Sequence, residues 1–170
     1  MRYRIKGLDK YIKSLENLSE SYNVLISIEN AVTDGSIVVR DVTKQELNKL
    51  PTDDTPKRVK KRKGIRTIEK KFLLSTFGVS PSEKSFNDVN RKTGVNLATL
   101  QYRNSKSYLP AVTLARRLER GTSYMDKDPV FSRSSRKARK PCVDAMQESL
   151  NRDVEKAMNL AKLQRREIDG

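Results

Sequence analysis

Apolar residues return at steps of three and four along much of this chain, a period that commits it to helices before anything else is considered. After Gly7, the positions Leu8, Tyr11, Ile12, Leu15 and Leu18 predict a short amphipathic helix over 8–18. Leu25, Ile28, Val32, Gly35, Val39 and Val42 continue at alternating steps of three and four and predict a longer helix within 19–50, ending before Pro51. Val143, Met146, Leu150, Val154, Ala157 and Ala161 predict a last helix over 141–167, with Pro141 in its first turn. The run Ile37-Val38-Val39 is β-branched, so a strand after an Asp34-Gly35 turn is the competing reading there. Helix is preferred because one apolar face continues on both sides of Gly35, which a strand would interrupt.

Between these helices the pattern is more broken. Pro51, Asp53, Asp54, Thr55 and Pro56 form a loop that leads into a new helix over about 57–76, cationic in its first half and buried in its second through Ile68, Phe72, Leu73 and Phe77. Gly78 to Gly94 reads as a loop or irregular hairpin anchored by Phe86 and Val89. Alternation from Val95 to Arg103 predicts a strand, and Val112, Leu114, Ala115 and Leu118 predict a short helix after Pro110 with Gly121 as its C-terminal cap. Asp128-Pro129 is a turn before the buried anchor Phe131. The whole is an α+β chain of one domain, with amphipathic helices on a small antiparallel sheet, a basic insertion over 55–95, and a strand and short helix over 95–125.

The chemistry available to this chain is narrow. It contains no His and a single Cys142, so an internal disulfide and the common zinc and copper ligand sets are excluded. Ser134 and Lys137 have Ser-x-x-Lys spacing, but in a run rich in both residues the match is expected by chance. Cys142 follows Arg139, Lys140 and Pro141, an electropositive setting that would lower a thiol pKa, yet it lacks a His partner and reads as a small packing residue. Asp53 with Asp54, and Asp126 with Asp128, offer pairs where Ca²⁺ wants six or more oxygens, so capping and turn roles are assigned. No glycine-rich nucleotide-binding fingerprint occurs. The expectation is a protein that is not an enzyme and needs no cofactor or metal.

Binding is the remaining class. With 36 Lys and Arg against 21 Asp and Glu, the net charge of +15 attracts polyanions or acidic protein surfaces. The cations gather in two runs. One holds Lys57, Arg58, Lys60, Lys61, Arg62, Lys63 and Arg66, and the other Arg133, Arg136, Lys137, Arg139 and Lys140. Tyr102, Tyr108 and Tyr124 lie near basic residues and could stack on bases, though packing is the simpler role. No apolar run is long enough for a membrane span and no signal-peptide core follows the basic start, so a cytoplasm-like compartment without membrane contact is expected. At 35% hydrophobic content a lone globule is thinly packed, which favours burial between subunits.

Three stretches in order resemble the tail-completion, or head-to-tail joining (neck), proteins of long-tailed bacteriophages. Ile5-Lys6-Gly7-Leu8-Asp9 is similar to that family's I-K-G-L-D opening before two helices. Leu114 to Ser123, containing Glu119, Gly121 and Thr122, is similar to its Y-A-x-x-V-E-x-G-T stretch. Pro129-Val130-Phe131-Ser132-Arg133, ahead of a C-terminal helix, is similar to its P-F-L-R-P-A-L segment. The chain departs from the pattern in a longer, more basic 55–95 region and in the extra residues between Arg133 and Pro141. The resemblance implies a non-catalytic ring subunit of the virion neck or tail, made in the host cytoplasm. Its partners would be copies of itself and adjacent head-completion, tail-terminator or tail-tube proteins, with DNA in the channel as a secondary contact. Gly7, Glu119, Gly121, Thr122 and Phe131 would serve assembly or turn formation. The alternative is a free-standing basic protein that binds nucleic acid through non-specific phosphate contacts.

Overall fold

The computed structural model describes residues 24–54, 62–85, 88–96, 98–101 and 108–168. The helix expected over 8–18, Gly7, the cations Lys57, Arg58, Lys60 and Lys61, and Phe86, Tyr102 and Arg103 lie outside the described residues. The described chain is α+β, with four helices and three two-stranded antiparallel sheets. It divides into two compact units. One comprises the described parts of 24–36, 81–92 and 140–168, and the other those of 37–80 and 93–139.

The first helix, α1, runs Val24–Asn48 and carries the β-branched run Ile37-Val38-Val39 in helical form, as the continuous period predicts. Two of its hydroxyls turn back onto the helix, Ser36 donating to the Val32 carbonyl at 2.7 Å and Thr43 to Val39 at 2.8 Å. The deepest face differs from the expected one near the N-terminus. Leu25 and Ile26 are about half exposed, whereas Ser27, Ala31 and Gly35 are buried. Close approach explains this choice of small residues. A Cβ at Gly35 would stand 2.5 Å from Met146 Cγ and 3.0 Å from Cys142 Sγ, which belong to the last helix, α4 (Val130–Ile168). In the same unit Asn30 donates to Asp153 at 3.1 Å, and β2 (Glu83–Ser85) pairs with β3 (Asp88–Asn90).

The second unit holds the main core, built from Leu47, Leu50, Ile65, Leu73, Phe77, Leu109, Leu114, Leu118, Met125 and Val130. Helix α2 (Thr67–Thr76) leads directly into β1 (Phe77–Val79), which pairs with β4 (Thr93–Val95) in the register Phe77 to Val95. A second hairpin joins β5 (Thr99–Gln101) to β6 (Tyr108–Pro110), and α3 (Ala111–Arg120) follows Pro110 at once. Helices α2 and α3 pack on each other and on these strands. The Phe77 and Phe131 rings stack with centroids 5.8 Å apart.

Three expectations need correction, each for a local reason. The helix expected from about 57 begins at Thr67, because residues 62–65 spend their backbone bonds on neighbouring chain. Arg62 exchanges bonds with Tyr124 and Asp126, and Ile65 with Pro51 and Asp53. The strand expected over 95–103 breaks after Val95, where the Asn96 side chain accepts the Ala98 N–H at 3.0 Å and turns the chain. The 78–94 segment, read as a loop or irregular hairpin, contains the β2–β3 hairpin, and β1 pairs with β4. The last helix starts at Val130, not at Pro141, which sits inside it. Val130, Ser134, Ala138 and Cys142 form a buried stripe at four-residue steps that carries the helix across the proline. Pro141 is exposed, so water can replace the donor it lacks.

Candidate functional site

The Glu119-Gly121-Thr122 stretch folds as a tight connection between α3 and α4. Gly121 closes α3 at φ 72° and ψ 174°, its N–H bonded to the Arg117 carbonyl at 2.8 Å. Thr122 and Met125 bond to each other across the turn, and the Asp128 N–H reaches the Leu118 carbonyl at 2.9 Å. The α4 N-terminus has no acid in its own first turn. Glu119 supplies one from outside, its carboxylate accepting the N–H groups of Phe131 and Ser132 and the Ser132 hydroxyl, the last at 2.8 Å. That anion satisfies two orphan donors at the positive end of the helix. Phe131 is half-buried against the core, and the fully buried anchor is its neighbour Val130.

The two cationic runs behave differently from a pair of basic surfaces. Arg62 is 1% exposed, its guanidinium 3.3 Å from the equally buried Glu69 and 5.8 Å from the Tyr124 ring centre. It is a core residue and leaves the proposed basic patch. Arg66 is half-buried and gives its backbone N–H to Glu69, while Lys63 is exposed. In the second run the carboxylate of Glu46, 6% exposed, collects Lys49 at 2.9 Å, Lys137 at 3.1 Å and Arg133 at 3.1 Å. Arg133 also meets Asp128 at 3.0 Å. Arg136, Arg139 and Lys140 are exposed and have no carboxylate partner among the described residues.

Hydrogen bonds from Lys49 and then Lys137 hold the Glu46 carboxyl at about 2. Its folded pKa lies below the unfolded value, so the stability it contributes is present above about pH 4.5 and is lost as pH falls toward about 2. The Glu46→Gln variant is expected to unfold at lower urea at neutral pH and to lose less of its midpoint across that acid window. Parallel acid limbs for variant and parent would remove Glu46 from the account.

The remaining candidates do not assemble into a reactive group. Ser134 is fully buried, receives Thr43 at 3.2 Å and donates to the Phe131 carbonyl, while Lys137 turns to Glu46, so the Ser-x-x-Lys spacing makes no pair. Cys142 is 2% exposed, and burial pushes its thiol up, opposite to the lowering expected from its basic neighbours. Asp53 accepts the Lys63 N–H, and Asp54 caps α2 through the Thr67 N–H and hydroxyl, bonds that hold its carboxyl below the usual range. Among the described residues no three potential metal ligands come together. Tyr108 is exposed, and Tyr124 lies half-buried between Arg62 and Arg117.

No family model, curated protein or solved structure matches this chain. The geometry therefore carries the functional reading. The two carboxylates that organise the second unit, Glu46 and Glu69, were not among the sequence candidates. Glu46 had a visible signal: it falls at helical spacing from Val39 and Val42 on the face that continues to Leu50.

Proposed function

We propose that the chain is a structural joining subunit of a phage neck, acting by protein–protein assembly in a ring and not by catalysis. The observation that carries this reading is the Glu119 cap. Two of the three stretches that resemble neck proteins, Leu114 to Ser123 and Pro129 to Arg133, are tied to each other by a single carboxylate. The motif residues thus have a shared structural job, which is what an assembly module requires and what an active site does not. Half-exposed Leu25, Ile26 and Met158 add apolar surface available for burial between copies. A ring uses heterologous contacts that close by rotation.

The purified chain, viewed by negative-stain microscopy and sized by light scattering, is expected to form closed rings, and particles made without it to accumulate as unjoined heads and tails. A monomer at high concentration, together with normal joined particles in its absence, would sink the reading.

A further inference from the structure

The net charge is not spread over the molecule. Among the described residues the second unit holds sixteen Lys and Arg against eight Asp and Glu, a net of +8, while the first holds nine against nine, a net of zero. The sequence stretches 55–61 and 102–107 add six more cations and no acid. Within α4 the excess lies at its start. Residues 130–139 contain Arg133, Arg136, Lys137 and Arg139 and no acid, whereas 144–156 of the same helix contain Asp144, Glu148, Asp153 and Glu155 against Arg152 and Lys156.

The structure divides the basic stretch into two jobs. Arg133 and Lys137 are held by Glu46 and serve the fold. Arg136 and Arg139 point away from the buried Ser134 and Ala138 stripe, are exposed, and have no anionic partner among the described residues. They stand three residues apart on one helix face, where like charges oppose helix formation unless an anion is supplied. No contact among the described residues of this unit calls for them.

We infer that this α4 face binds the phosphodiester backbone of nucleic acid, with Arg136 and Arg139 as direct phosphate contacts. Charge complementarity and the make-up of the face choose this occupant over an acidic protein. A protein interface needs apolar or aromatic anchors at its centre. The exposed residues here are Ser132, Arg136, Lys137 and Arg139, which offer charge and donors but no anchor. Phosphates need only those. The inference stands independently of the neck reading, because it rests on charge placement alone.

The test is a fluorescence-anisotropy titration of the full chain against a short duplex DNA, the matching duplex RNA and poly-glutamate, repeated across salt. The parent is expected to bind a duplex with a steep salt dependence, and Arg136→Ala/Arg139→Ala to lower the log–log slope by roughly 2 and weaken binding at least about tenfold at 0.1 M salt. Arg152→Ala/Lys156→Ala removes the same charge from the other half of the helix and is expected to keep the parent slope. Circular dichroism checks that each variant is folded. Tighter binding to one duplex names the source of the backbone, and equal binding to both supports recognition of phosphate alone. No duplex binding at low salt, equal slopes for the two double variants, or preference for poly-glutamate would overturn the assignment.

Discussion

Replacing Gly121 with valine is expected to destabilise the second unit strongly. The backbone there, φ 72° and ψ 174°, falls in a region that only glycine occupies freely, and a β-branched residue held there costs on the order of 3 kcal/mol. Space adds to strain, because a Cβ would lie 3.0 Å from the Lys127 nitrogen and 3.2 Å from its Cα. These are backbone atoms and cannot swing aside. Moving them would also drag the bond from the Asp128 N–H to the Leu118 carbonyl. Urea unfolding followed by circular dichroism reads the loss. Gly121→Ala, which suffers the same φ with less crowding, is expected to lie between parent and valine. A valine variant with the parent midpoint would show that the turn relaxes and that its geometry is not required.

Removing Glu69 is expected to be strongly destabilising. Its carboxylate faces a guanidinium that is 1% exposed and also takes the Arg66 N–H at the start of α2. Breaking a buried pair from one side strands the other charge, at a cost of about 3–5 kcal/mol. The double replacement Arg62→Met/Glu69→Leu removes both charges and fills the space with apolar atoms, so it is expected to recover most of that loss. The comparison separates the two parts of the effect: if Glu69→Ala and the double variant unfold at the same urea concentration, the stranded charge is not what destabilises the single variant. The result also bears on how the first basic run is read. Charge reversal across Lys60 to Lys63 would include Arg62 and would damage the core, so a surface experiment there must leave Arg62 in place.

Legibility in the sequence followed the range of the interactions. Helix α1 was readable through its β-branched stretch because twenty-five residues repeat one period, and the cap at Gly121 was readable because Glu-Arg-Gly-Thr closes a short apolar helix. Strands of three residues carry too little alternation to be placed, which is why the strands between Gly78 and Gly94 were legible only as a loop or irregular hairpin and the 95–103 segment as one strand. The burial of Arg62 was hidden for a different reason. It depends on Glu69, Tyr124 and Met125, residues whose proximity no local pattern encodes. Likewise, a row of cations from Arg133 to Lys140 looks uniform until Glu46 claims two of them.

The start of the longest helix is specified eleven residues before it begins, by Glu119. This makes the amide protons of Phe131 and Ser132 reporters on a turn to which they do not belong. Their exchange with solvent water should follow the opening of the α3 end and not the fraying of α4, so the two helices share one local opening event at this corner. A substitution scan confined to 130–140 would therefore miss the residue that sets where that helix starts.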